Sequence, residues 1–204
     1  PKIMPIISPL TCAEVRQMFV NNRPLKVELL QYQLPSNFIK WDDDIKAFGA
    51  SCLQPENQYY EGVRLLCEKI FKEFQFKSGF TTVNTPLKTV LKERKGVCQD
   101  FSHLAIACLR SLGFAARYVS GYLETLPPKG KPKLQGSDAS HAWISVYVPE
   151  MGWCEFDPTN NMIPGERHIV TAYGRDYADV APMKGIVFSS GSHKVKVEVD
   201  VIHV

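Results

Sequence analysis

No run of apolar residues in this 204-residue chain approaches the roughly 18 that a membrane-spanning helix needs, so no helical span is expected. The start, Pro1-Lys2-Ile3-Met4-Pro5, lacks both an initiator Met and the charged-then-apolar layout of a secretion signal. The expectation is therefore a processed chain or a piece of a longer one. Charge of one sign is also missing. The net charge is only +3, and Lys and Arg are scattered rather than gathered in a stripe with aromatics, so nucleic acid is not an expected partner. There is no CxxC pair and no His/Cys cluster at zinc spacing, which speaks against a structural zinc site. No cofactor or metal is expected, and no internal repeat is visible.

Cysteine is not scarce: Cys12, Cys52, Cys67, Cys98, Cys108 and Cys154 make an even number. An even count suits a disulfide framework in a small secreted domain. Here the chain is long, lacks a secretion signal and sets several of its cysteines in apolar patterns. Reduced thiols in a cytoplasmic protein are the expectation. Apolar residues make up 45%, ordinary for a globular chain of one-domain size.

Residues 1–35 are rich in Pro and short apolar runs, and read as a connector or the tail of an upstream domain; Val27-Glu28-Leu29-Leu30 reads as a strand. Residues 36–204 read as one domain. Asp42-Asp43-Asp44 has the form of a helix cap before Ile45, and too few oxygen ligands at defined spacing for calcium. A helix is predicted from Glu56 to Phe74, with Tyr59, Val63, Leu66, Cys67, Ile70, Phe71 and Phe74 on one face. Thr85-Pro86 predicts a helix start with Thr as N-cap, ending near Lys95 with Gly96 as left-handed C-cap. A further helix is predicted from Cys98, burying Phe101, Leu104, Ala105, Cys108, Leu109 and Leu112 and closed by Gly113. The period then changes to two. Strands are predicted over Ala115–Leu123, His141–Val148, Gly152–Phe156, His168–Ala172, Gly185–Phe188 and Lys194–Val204, where His203 ends the Val195, Val197, Val199, Val201 face. Helices first and strands later argue for an α+β fold with an antiparallel sheet.

The segment Gly96-Val97-Cys98-Gln99-Asp100-Phe101 sets a cysteine on the first turn of a buried helix, where free N–H groups and the helix dipole favour an anion. Acyl transfer needs, besides a thiol, a base and a residue that orients the base. Of the five histidines (His103, His141, His168, His193, His203), His141 opens a strand, sharing a face with Trp143, Ser145 and Tyr147. His103 reads as a helix-packing or polar-face residue. Asp157 follows the strand Trp153–Phe156 and precedes Pro158. Whether the two meet depends on parity. An odd hairpin loop, Pro149–Met151, sets His141 opposite Thr159 with Asp157 diagonal on the same face; an even loop without a bulge separates them. Trp143 and Trp153 read equally as cleft walls or as core. Thr125–Ala139 reads as a solvated loop or a flap, and Arg175-Asp176-Tyr177 as a turn or ion pair rather than a substrate contact.

The chain from Lys95 to Asn161 resembles the core of the transglutaminase-like superfamily. The resemblance is carried by Gly96–Phe101, Ala116-Arg117-Tyr118-Val119-Ser120-Gly121-Tyr122, His141-Ala142-Trp143 and Trp153-Cys154-Glu155-Phe156-Asp157-Pro158-Thr159-Asn160. His168-Ile169 and the run from Gly174 to Pro182 are similar to a bacterial branch of transglutaminase-like enzymes and candidate cysteine proteases. The resemblance implies a papain-like transglutaminase core, with N-terminal helices packed on a C-terminal antiparallel sheet. It also implies a Cys98, His141, Asp157 triad acting on a protein or peptide substrate through a thioester. Hydrolysis is the first expectation; amine transfer to glutamine, or a non-catalytic binding or scaffold domain on the same fold, are the alternatives. Calcium, which mammalian members use, is not carried over.

Overall fold

The structure, a computed structural model, describes residues 8–125, 139–181, 185 and 199–201. Helix α1 (Cys12–Asn21) starts with a reciprocal cap: Thr11 Oγ1 accepts from the Glu14 N–H at 3.3 Å, and the Glu14 carboxylate accepts from the Thr11 N–H at 2.8 Å. It buries Cys12, Val15 and Phe19 in the main core. The strand expected over Val27–Leu30 is not formed. Asn22 and Pro24 start helix α2 (Arg23–Leu29) instead, and a 3₁₀ turn (Leu30–Tyr32) follows. Leu25 and Leu29, one helical turn apart, reach the core, whereas Val27 is 71% exposed.

Asp42 caps α3 (Asp43–Ala50) as expected, accepting from the Ile45 N–H at 3.0 Å. Helix α4 (Tyr59–Glu73) buries Tyr59, Val63, Leu66, Cys67 and Ile70, but Phe71, expected on that face, is 49% exposed. Strand β1 (Gln75–Phe76) pairs in parallel with β2 (Lys95–Gly96). Between them α5 (Leu87–Glu93) departs from expectation at both ends. Its N-cap is Pro86, while Thr85 Oγ1 accepts from the Thr82 N–H at 2.9 Å instead. Its left-handed C-cap is Arg94, at φ 53°, not Gly96.

Helix α6 (Cys98–Ser111) is the centre of the molecule, with Leu104, Ala105, Ile106, Cys108 and Leu109 fully buried. It packs on an antiparallel sheet of β3 (Ala116–Leu123), β4 (Ala139–Val148), β5 (Gly152–Phe156) and β6 (His168–Gly174), in the order β5-β4-β3-β6. Ala142, Ile144, Val146 and Val148 of β4 join Ala116 and Tyr118 of β3 in the core beneath it. This is the α+β, papain-like architecture, helices first and antiparallel sheet after. The expected strands Gly185–Phe188 and Lys194–Val204 lie almost wholly outside the described residues, as does most of Thr125–Ala139.

Near the end of the sheet, Arg110 of α6 is buried and donates to the carbonyls of Leu34, Ala116 and Arg175 and to Ser36 Oγ. Asp176, also buried, caps α7 (Tyr177–Val180) through the Ala178 N–H at 2.8 Å and accepts from the Phe38 N–H at 2.8 Å. Arg175 pairs with Asp179 at 2.9 Å. These contacts agree with the structural reading of that segment.

The tightest of the glycines forced by packing is Gly121. At Gly121, where β3 is irregular, a Cβ would lie 2.2 Å from the Ile169 carbonyl oxygen and 2.5 Å from the Trp143 ring. Gly121→Ala is therefore expected to destabilise the fold by about 1–3 kcal/mol or more, as overpacking does. Urea unfolding checks this; a loss below about 0.5 kcal/mol, the usual scale of a neutral surface change, would contradict the packing described.

Candidate active site

Cys98 is the first residue of α6, and its setting is built by Asp100. The Asp100 carboxylate turns back so that Oδ2 accepts from the Val97 N–H at 2.8 Å and from the Thr81 hydroxyl at 2.6 Å. Gly96 makes this possible: a Cβ there would stand 2.7 Å from Asp100 Oδ2. The glycine thus serves close approach rather than a left-handed cap. Cys98 is half-buried and is a free thiol, as are the other five cysteines. Burial pushes the Cys12 thiol up to about 11 and those of Cys67, Cys108 and Cys154 upward too.

The hairpin between β4 and β5 has the odd, three-residue loop Pro149–Met151, with Val148 opposite Gly152 and Ile144 opposite Phe156. Continued outward, that register sets His141 opposite Thr159 and puts Asp157 on the His141 face. The imidazole Nε2 of His141 donates to Asp157 Oδ2 at 2.8 Å. That leaves Nδ1 for Cys98, whose side chain is hydrogen-bonded to the ring. The structure thus brings Cys98, His141 and Asp157 together.

Asp157 is completely buried and accepts five hydrogen bonds. Its Oδ1 takes the backbone N–H groups of Thr159 and Asn160, at 2.9 and 3.2 Å. Its Oδ2 takes His141, the Asn160 amide at 2.7 Å and His168 Nε2 at 3.2 Å. Burial alone would raise the Asp157 pKa, but these donors outweigh it and hold the carboxyl well below the usual range. For His141, burial alone would lower the pKa. The hydrogen bonds and charges of Asp157 and Cys98 together prevail, and raise it to about 9.

Two of these partners escaped the sequence reading of the site. Asn160 had a signal in the Asp157-Pro158-Thr159-Asn160 run, a turn in which an Asp accepts from the backbone ahead of it. His168, at the start of β6, was marked only by the His168-Ile169 resemblance to the bacterial branch, which gave it no role. The other polar candidates have structural roles. His103 is buried, accepts from the Tyr177 N–H at 3.2 Å and stacks on Phe38, and burial pushes its pKa down to about 4. Trp143 is wholly buried between His141 and His168, its Nε1 donating to Glu155 at 2.7 Å. Trp153 packs on Tyr32 and Tyr147.

The ligand-type atoms of His141, Asp157 and His168 lie within 4.8 Å of one another, so these residues could hold a metal ion. They already satisfy one another by hydrogen bonds, with both imidazoles on one carboxylate oxygen, and this describes a proton-bearing network. A cavity of about 400 Å³ opens between residues 37–45 and 83–88, lined by Phe38, Trp41, Val83 and Leu87 among others. One of its walls is tied to the first turns of α6 through Phe38, which stacks on His103.

Residues 46–158 match the family described as the transglutaminase-like superfamily, and the chain belongs to it. An uncharacterized protein of Mycobacterium tuberculosis is 44% identical over 177 residues, 84% of this chain and 56% of that protein. An uncharacterized protein of Mycobacterium leprae is 34% identical over 97% of this chain and 67% of its own length. The chain thus spans little more than half of the M. tuberculosis relative. A 72-residue stretch, 35% of this chain and 11% of the relative, is 36% identical to the protein-glutamine gamma-glutamyltransferase of Pseudomonas aeruginosa. Among solved structures, a candidate cysteine protease from Cytophaga hutchinsonii is 29% identical, with a TM-score of 0.63 over 76% of this chain and 49% of that one.

The raised pKa of His141 links this site to stability. In the unfolded chain the imidazole titrates near 6.5, in the folded one near 9. The folded state therefore holds the proton more tightly, and the stabilisation is full below about pH 6.5 and lost as pH rises through about 9. Asp157, depressed, adds stability that is present above about pH 4 and lost as pH falls. The thermal midpoint of the wild type is expected to fall between pH 6.5 and 9, and His141→Ala is expected to flatten that limb. Parallel limbs in the two proteins would show that His141 does not carry the charge.

Proposed function

We propose that the chain is a cysteine-dependent acyl-transfer enzyme acting on a protein or peptide through a thioester. The observation that supports this most is the continuous hydrogen-bonded line from the buried Asp157 carboxylate through His141 to a cysteine on the first turn of α6. In this reading the Cys98 sulfur attacks an amide or ester carbonyl. His141 Nδ1, which took up the thiol proton, returns it to the leaving amine, and the thioester remains. Asp157 fixes the ring so that Nδ1 faces the sulfur, and its charge offsets that of the imidazolium. The Cys98 N–H, at the first position of a helix, has no intrahelical partner and suits a developing oxyanion.

The acceptor decides the reaction: water gives a protease or amidase, an amine gives a transglutaminase. Hydrolysis is the reading favoured here, and the C. hutchinsonii likeness accords with it. Amine transfer is the second reading, supported by the match to the P. aeruginosa glutamyltransferase. The chemistry needs Cys98 as a free thiol, which suits a reducing compartment such as the cytoplasm.

Two experiments test the proposal. At about pH 6, where an ordinary thiol is protonated, iodoacetamide is expected to alkylate Cys98 at least about tenfold faster than the other cysteines, an advantage lost in His141→Ala. Equal rates would contradict an assembled nucleophile. Incubation with a labelled primary amine and a glutamine-containing protein, read by mass spectrometry beside Cys98→Ala, is expected to give Cys98-dependent cleavage or deamidation. Amine incorporation without cleavage would reverse the ranking.

A further inference from the structure

We propose that His168 is a positioning residue of this site: by donating its Nε2–H to Asp157 Oδ2 it holds the carboxylate against His141. The inference rests on the acyl-transfer reading and adds a residue to it.

The topology makes the contact informative. Asp157 follows β5 at one edge of the sheet, and His168 begins β6 at the opposite edge, with β4 and β3 between them. The chain between Asp157 and His168 brings the first residue of β6 back to the end of β5, and the 3.2 Å hydrogen bond joins the two. His168 lies edge-on to Trp143, with ring centroids 5.2 Å apart, and Trp143 stacks on His141 at 5.8 Å. The bare Cα of Gly121 leaves the space that the Trp143 ring fills. The His168 side chain is 3% exposed, so water cannot readily replace it as a donor.

An ionised carboxylate only accepts, so each imidazole must carry its proton on Nε2 to meet Oδ2. For His141 this fixes the tautomer that presents Nδ1 to Cys98. For His168 it means that its Nε2–H is committed to Asp157. Of the five donors on Asp157, Thr159 and Asn160 belong to the turn that carries the aspartate itself. His168 is the donor that ties the carboxylate to another strand besides β4. Without it, a wholly buried carboxylate loses a charge-assisted hydrogen bond and its tether to β6, and the ionised form is held less firmly. The charge that holds His141 as a cation beside the sulfur weakens with it.

A packing role and a positioning role predict opposite orders for two variants. His168→Phe keeps an aromatic ring against Trp143 and removes the donor; His168→Gln keeps a donor and removes the ring. The test is iodoacetamide alkylation of Cys98 at about pH 6 in wild type and both variants, with thermal melting as a control. The expected result is a rate about tenfold lower in His168→Phe and within about threefold of wild type in His168→Gln. The reverse order, or a His168→Phe rate equal to that of wild type, overturns the inference while leaving the acyl-transfer reading intact. A wild-type Cys98 no more reactive than the other thiols overturns both. If His168→Phe does not fold, ring ¹⁵N spectra of the wild type decide: a protonated Nε2 on His168 is expected, and an unprotonated Nε2 overturns the inference.

Discussion

A carboxylate with no exposure to water is costly, by several kcal/mol, unless its oxygens are met by donors. Asp157 is in that position, and much of the site follows from how the chain meets the cost. Two backbone N–H groups and an amide come from the turn just after β5, one imidazole from β4 and another from β6. The same contacts that stabilise the buried charge fix the end of the hairpin, bring the two edges of the sheet together and choose the tautomer of His141.

The helix side of the site is a separate construction that converges on the same point. Gly96 has no side chain because Asp100 lies where one would be; Asp100 folds back because the Val97 N–H and the Thr81 hydroxyl need an acceptor; and Cys98 is thereby set on the first turn, where a backbone N–H has no intrahelical acceptor. Nearly every residue of α6 beyond Cys98 is buried, including His103 and Arg110, so this helix has little freedom to shift. The mobile parts of a thiol–imidazole pair are the two side chains, and here both are held from behind.

Local chemistry was legible where one interaction decides the outcome. The Asp42 cap and the α6 start each depend on near neighbours; the hairpin stayed open between an odd and an even loop, and the odd Pro149–Met151 loop of the structure puts His141 and Asp157 on one face. Where two local signals compete, the pattern misled. Val27–Leu30 has strand-forming residues, but the Asn22–Pro24 start and the burial of Leu25 and Leu29 favour a helix. Gly96 looked like a C-cap, yet Arg94 adopts the left-handed conformation and the glycine answers a side chain four residues on. Phe71 fits the apolar rhythm of α4 but lies at the margin of the buried stripe. His168 was beyond reach for another reason: its contact joins the two outer strands of the sheet, and no spacing along the chain encodes that meeting.

The central claim is that Asp157 holds His141 as a cation beside Cys98. Ring ¹⁵N chemical shifts of His141, followed with pH, test it most directly. The account predicts imidazolium shifts persisting to about pH 9 in the wild type and a titration moved to lower pH in Asp157→Ala. A His141 that titrates near 6.5 in the wild type, unmoved by loss of the carboxylate, would contradict it.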